Sequence, residues 1–409
     1  MANRISSAIK NALDKWGGGT SLFFAYTHLS HDMTTGLLIA LLPFIRQDME
    51  LNYFQAGLLV SAYSVTSGFS QIFGGWVGDH IKRRWIAIMM GLLGVGLSGL
   101  AAGLMPSYNT LLIAMVCMGI FAGFYHPSAV PALSRLFEDR RGKAIGLHMI
   151  GGSVGFGIGP FIGTAIAATL NWHWAFTILC LPALVAGLWV ALWLRKIEPA
   201  VPGSTHGIAL PGREQSVIAA SGPTLGQVLK SVAPVVILVV IVTFTSGSLL
   251  PFLPLYLVDH HGLTTTMAAY WTSIVRASGI IGSLLGGWLS DRWGNKRTVL
   301  ISLIAIGPAM LLFTTMNYFA ALAVVMIAIG TLWAMRETAV QTYLMSKAPL
   351  NFHGIVFGIY FGIGMQGQSL LQPVYGGFMD TFGIANIFFY VALISVVTSI
   401  VTIFMARKL

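Results

Sequence analysis

Apolar runs of about 20 residues or more recur along almost the whole chain, and a helix that crosses a bilayer needs about 20 such residues. They fall at 20–48, 52–78, 85–105, 109–136, 142–169, 173–194, 230–258, 265–289, 298–315, 318–346, 353–379 and 385–405. Turn residues and charges punctuate the intervals. Only 9% of the residues are charged, against roughly 25% in a soluble domain. A soluble core of this length has no room for that much apolar surface. The sequence therefore predicts an all-α integral membrane protein with twelve transmembrane helices.

The formal net charge of +10 raises nucleic acid as a partner, but position argues for topology instead. With the N-terminus inside, every one of the 23 Lys and Arg residues except Arg46, Arg276 and Arg336 falls in an inner loop or tail. That distribution predicts both termini in the cytoplasm and no nucleic-acid partner. Residues 1–19 are polar, end in Gly17-Gly18-Gly19 and lack a signal-peptide pattern. Cys117 and Cys180 lie in apolar stretches and predict free thiols.

The longest polar interval, 195–229, is rich in Pro and Gly and reads as a cytoplasmic linker. It divides a cytoplasmic segment (1–19) and a six-helix bundle (20–194) from a second bundle (230–405) and a short tail (406–409). The halves repeat. GGWVGDHIKRR begins at Gly74 and GGWLSDRWGNKR at Gly286; the same offset carries Gly142 to Gly354, Gly146 to Gly358 and Gly155 to Gly367. Two related halves with a substrate bound between them are a recurring transporter plan. The loop offers a latch: Gly75, Asp79, Arg83 and Arg84 in one copy, Gly287, Asp291, Arg292 and Lys296 in the other. Glycine permits close helix approach, the acid accepts hydrogen bonds or pairs with a base, and the positive cluster holds the loop inside.

The six-plus-six plan with this loop in both halves resembles the major facilitator superfamily, whose loop motif is roughly G-x-x-x-D-R-x-G-R-[KR]. The second copy fits closely; the first has His80 and Lys82 at variant positions. Within the superfamily the chain resembles the fosmidomycin-resistance-like branch of efflux proteins. The resemblance is carried by His28-x-x-x-Asp32 with Leu41-Leu42-Pro43, by Phe124-Tyr125-His126-Pro127, and by Arg140-Arg141-Gly142 followed by Gly151-Gly152-x-x-Gly155 to Gly159-Pro160. Ser128 stands where that branch usually has an acid. The resemblance implies secondary transport and efflux, and the Gly-Pro element in the fifth helix resembles the one associated with antiporters.

Gly151, Gly155, Gly159 and Gly163 recur at every fourth position, so they form one slowly drifting stripe on a helix. Such a stripe lets helices pack backbone to backbone, and Pro160 and Pro373 permit local bending. Plain packing explains the stripe as well as sliding does.

Ionisable groups inside a span mark function by default. His28, His31 and Asp32 lie about −60° and +40° apart around the first helix and share a face. A carboxyl group that alternates between a dry environment and one lined by cations can load and unload a proton. Asp32 is thus the first candidate for proton coupling, with His28, His31 and Glu337; a static Asp–His bond is the structural alternative. His126, Arg276, Arg336, Gln366, Gln368 and Gln372 are candidates to line the substrate cavity. Arg336 and Glu337 are adjacent in sequence, about 100° apart around a helix, and need not pair. The histidines show no complete ligand set at metal-site spacing, so no metal is expected. No cofactor, nucleotide loop or activated nucleophile is expected, and the chain reads as no enzyme.

The leading expectation is proton-coupled efflux of a small amphipathic or anionic solute, by a protein functional as a monomer in an inner membrane. Uptake of a nutrient anion by symport or facilitation uses the same groups. A transport-inactive receptor or assembly partner is the reading from another class, and the intramembrane charges argue against it.

Overall fold

The computed structural model describes residues 18–80, 83–137, 141–197, 224–348, 356, 360 and 367–406. The described chain is helical, with no strand among its residues. In chain order the helices are α1 (Gly18–Thr35), α2 (Leu37–Asp48), α3 (Tyr53–His80), α4 (Arg84–Leu104), α5 (Tyr108–Leu136), α6 (Arg141–Thr169), α7 (Trp172–Leu179), α8 (Leu181–Trp189), α9 (Arg195–Ile197) and α10 (Leu225–Thr245). There follow α11 (Leu253–Asp259), α12 (Thr265–Trp293), α13 (Asn295–Thr315), α14 (Phe319–Lys347), α15 (Gln372–Phe382) and α16 (Ile384–Ala406).

The predicted runs map onto these helices, with interruptions where the backbone chemistry demands them. The first run is two helices, α1 and α2, meeting at Gly36. The sixth is α7 and α8, with Pro182 in the first turn of α8, followed by a π-helical turn at Val190–Leu194 and α9. The seventh is α10 and α11, joined by a 3-10 turn at Gly247–Phe252 that contains Pro251. Proline lacks an N–H and cannot continue a helical ladder, so tight turns and fresh helix starts absorb it. Of the eleventh run, the described part is a 3-10 turn at Gly367–Leu371 and α15. Gly354, Gly358 and Gln366 lie outside the described residues.

Eight of the described helical stretches are long and apolar enough to cross a membrane. Their outward side chains suit lipid rather than water: Leu284 is 71% exposed, Val324 68% and Leu192 63%. Both cysteines are free thiols.

The chain forms two compact units. The first comprises Met1–Val201, Pro251–Ser273 and Gln372–Asp380; the second comprises Pro202–Leu250, Ile274–Leu371 and Thr381–Leu409. The core of the first gathers Phe23 and Phe24 of α1, Ile88 and Leu92 of α4, Tyr125, Ala129 and Leu133 of α5 and Ala186 of α8. The glycine stripe of α6 lies on α1. A Cβ at Gly151, Gly155 or Gly159 would run into the backbone of Ala25, Leu29 or Met33 respectively, and one at Gly163 would meet Leu37. Both series advance by four residues, so two helices touch backbone to backbone along a common line. Pro160 leaves α6 unbroken, while Pro373 sits in the first turn of α15, where a missing N–H is tolerated.

The second unit uses small and hydroxylated residues at its helix contacts. Ser246 bonds Ser395 at 2.5 Å, Ser399 donates to the carbonyl of Leu303 at 3.0 Å, and a Cβ on Gly307 would strike Ser395. The internal repeat is visible in the packing. Gly74 of α3 sits against the Gly123 carbonyl of α5, and Gly286 of α12 against the Met335 carbonyl of α14; both members of the second pair follow those of the first by the sequence offset of the repeat.

In the first unit a distant carboxylate caps α3. Asp380 accepts from the N–H groups of Tyr53 (2.8 Å) and Phe54 (2.9 Å), orphan donors of the first helical turn. Arg46, expected in an outer loop, ends α2, where it pairs with Asp259 at 2.7 Å and donates through Nε to the Leu51 carbonyl. Tyr53 donates to the same Asp259 carboxylate at 2.6 Å. Because Asp380 fills two helix-end donors, Asp380→Ala is expected to lower stability by about 1–2 kcal/mol. Thermal unfolding in detergent checks this, and an unchanged midpoint would show that water replaces the cap without loss.

Candidate functional site

The site in the first unit begins with one helical repeat. His28 and Asp32 are four residues apart on α1, so their side chains overlie each other. His28 Nε2 lies 3.2 Å from Asp32 Oδ2. His31 Nδ1 reaches Asp32 Oδ1 at 2.8 Å. From α5, His126 places Nε2 3.7 Å from Asp32 Oδ1. One carboxylate thus faces three imidazoles, two from its own helix and one from another. His28 and His31 are buried, whereas Asp32 (14%) and His126 (38%) keep an open edge.

Residues outside the sequence-predicted proton-coupling and cavity candidates hold the cluster. His148, on α6, stacks on His28 with ring centroids 4.2 Å apart, and its backbone carbonyl meets His28 Nδ1 at 2.8 Å. His148 Nδ1 in turn meets the Phe24 carbonyl at 3.0 Å. Gly152, one turn after His148, leaves the space that the His28 ring fills. Tyr125 stacks on His31 at 4.7 Å, with its hydroxyl 2.8 Å from that of Thr27. The spacing His148-x-x-x-Gly152 was the available signal: a ring and a gap on one face of α6.

A carbonyl oxygen only accepts, so the 2.8 Å contact makes His28 Nδ1 a donor. In a neutral ring Nε2 is then a bare lone pair. It faces a carboxylate oxygen, also an acceptor. The pair is repulsive unless something positive lies between the two atoms. His31 Nδ1 can donate to the ionised Asp32 directly, while His31 Nε2 is buried with no hydrogen-bond partner among the described residues. Positions along the chain show no metal-ligand spacing, but three of these groups meet in space. In three dimensions single ligand atoms of His28, Asp32 and His126 lie within 4.8 Å of one another.

The second unit holds the other charged pair. Arg336 and Glu337 on α14, which the sequence left free to point apart, approach to 3.5 Å. Arg336 is fully buried, with its guanidinium 4.0 Å from the Trp333 ring centre and Nη1 donating to Thr243 at 3.0 Å. Among the described residues its Nε and Nη2 have no hydrogen-bond acceptor, Nη2 being the nitrogen 3.5 Å from Glu337. Glu337 accepts from Gln341 and from Tyr360, both at 3.0 Å. Gln368 fills the space beside Gly247, and its backbone carbonyl accepts from Ser248. Gln372 is buried in the first unit, its backbone against Gly57. Arg276 is half-buried on α12.

The loop motif corrects one expectation. The close helix approach is made by Gly286, whereas among the described residues nothing lies within 4 Å of a Cβ at Gly287. Neighbouring positions on a helix are about 100° apart, so only one of two adjacent glycines can face the partner. Asp291 is exposed, Arg292 lies over Trp288 at 5.3 Å, and Lys296 is half-buried. In the first copy Arg84 is buried and Arg83 exposed; the side chains of Gly75 and Asp79 are outside the description.

Residues 24–372 match the family model of the Major Facilitator Superfamily. The chain is 23% identical over 359 residues to the fosmidomycin resistance protein of Escherichia coli K12, covering 84% of this chain and 83% of that protein. It is 27% identical over 393 residues to multidrug resistance protein 1 of Bacillus subtilis 168, covering 93% of each. A nucleoside transporter structure superposes with a TM-score of 0.74 at 14% identity, covering 94% of this chain and 98% of that one. An apolar helical chain with buried charge, matched by that model over most of its length, belongs to the Major Facilitator Superfamily and is a multi-pass membrane transporter.

Proposed function

We propose that this transporter exports a small amphipathic or anionic solute by alternating access and is driven by protons that load at Asp32. The observation that carries the reading is the contact between Asp32 and His28, two acceptors that need a positive charge between them. A proton meets that need. His31 and His126 surround the same carboxylate, and its open edge provides an entry. The family's resistance proteins support export. Arg336, whose Nε and Nη2 have no hydrogen-bond acceptor among the described residues, with Nη2 3.5 Å from the Glu337 carboxylate, supports an anionic group on the solute, because the Nε/Nη2 edge of a guanidinium matches two oxygens. Loop charge supports an inner-membrane topology with both termini cytoplasmic. A single chain carries every group this scheme uses.

The test is transport in vesicles with an imposed proton gradient. A charge crossing 100 mV is worth about 2.3 kcal/mol, so one-to-one coupling sustains about a 50-fold solute gradient. Asp32→Asn is expected to abolish that accumulation while solute counterflow persists. Undiminished gradient-driven flux in this variant would remove Asp32 from coupling. Acceleration by an inward rather than an outward proton gradient during loading would identify uptake symport.

A further inference from the structure

We propose that His28, Asp32 and His126 form a binding site for a first-row divalent transition-metal ion of the Zn²⁺ type, independent of whether protons drive transport.

The proton that reconciles His28 with Asp32 leaves a geometric remainder. It joins only two groups, whose atoms are 3.2 Å apart, longer than the usual hydrogen bond to a carboxylate of about 2.7–2.9 Å. It leaves His126 Nε2 at 3.7 Å from the other oxygen of that carboxylate, Oδ1, beyond hydrogen-bonding distance. A metal accounts for all three. Tetrahedral ligands held at about 2.0–2.1 Å stand about 3.3 Å from one another; the 3.2 Å between His28 Nε2 and Asp32 Oδ2 is close to that edge length, and His126 Nε2 stands 3.7 Å from the other oxygen, Oδ1. All three donor atoms lie within 4.8 Å of one another, so small side-chain rotations bring them onto one ion.

The surroundings match a ligand shell. A metal-bound histidine characteristically donates its other ring N–H to a carbonyl or carboxylate. His28 does so, with Nδ1 at 2.8 Å from the His148 carbonyl, leaving Nε2 free to ligate. The carboxylate is oriented by His31 Nδ1 at 2.8 Å. The partial exposure of His126 and Asp32 leaves a fourth position for water or a solute atom. Two imidazoles and one carboxylate suit Zn²⁺ and Co²⁺ rather than Mg²⁺ or Ca²⁺, which require oxygen ligands.

The experiment is titration of the purified, tag-free transporter with Co²⁺, followed by displacement with Zn²⁺; no transport is required, so failure here leaves the proton reading intact. The expected result is the intense visible absorption of four-coordinate cobalt, lost on adding Zn²⁺. His126→Ala is expected to weaken binding about 100-fold or more, since losing even an outer-shell partner weakens affinity 10–100-fold. The double replacement of His260 and His261, a pair outside the cluster, is expected to leave the spectrum unchanged. His126→Cys guards against misfolding of the alanine variant, because a bound thiolate adds a sulfur-to-cobalt charge-transfer band. Absence of the four-coordinate spectrum, its persistence in His126→Ala, or a His126→Cys protein without the new band would overturn the proposal.

Discussion

Gly155→Leu is expected to destabilise the transporter by about 3 kcal/mol or more, whereas Gly157→Leu is expected to change stability little. Both positions are glycines of α6, two residues apart. A Cβ at Gly155 would run into the Leu29 carbonyl, while among the described residues nothing lies within 4 Å of one at Gly157. The obstruction at Gly155 is backbone, which cannot rotate away, so α1 and α6 must separate. Since α1 carries His28 and Asp32 and α6 carries His148, separation also removes the carbonyl that orients His28. Thermal unfolding and proton-driven flux, measured for both variants, check the prediction. Equal behaviour of the two would mean that the stripe is incidental to packing.

Arg336→Ala is expected to lower stability by about 3–5 kcal/mol, the range found when one member of a buried ion pair is removed. Arg336 is fully buried on Trp333 and bonded to Thr243. Its loss leaves the Glu337 carboxylate with donors from Gln341 and Tyr360 but without its counter-charge. Adding Glu337→Gln to Arg336→Ala is therefore expected to recover part of the stability. A double-mutant cycle in unfolding measurements checks this. Strictly additive losses would show that the 3.5 Å approach carries no coupling. Unaltered stability with lost transport would assign Arg336 to the solute alone.

These two cases show how far a one-dimensional reading extends. The interval of four in Gly151, Gly155, Gly159 and Gly163 is a property of the helix, so a common face was legible. That the face meets α1 was not, because no local rule pairs residue 155 with residue 29. The adjacent glycines 286 and 287 show the same limit: both permit close approach, and the rotation of α12 decides that Gly286 makes it. Arg336 and Glu337 were legible as costly intramembrane charges, but their approach depends on side-chain directions set by Trp333, Thr243, Gln341 and Tyr360.

At the site, His28 and Asp32 could be paired from sequence because four residues bring side chains to one face. His126 and His148 arrive from α5 and α6, about a hundred residues downstream, and only packing carries them to α1. The amino-acid sequence alone determined a chain of lipid-suited helices in two repeated halves, with an acid among histidines in the first. Those features follow from composition and helical period, which act over a few residues. The tertiary structure decided which imidazoles share the Asp32 carboxylate and which nitrogen of His28 faces it. Such contacts join distant segments, and their geometry exists only once the glycine-lined backbones of α1 and α6 have closed on each other.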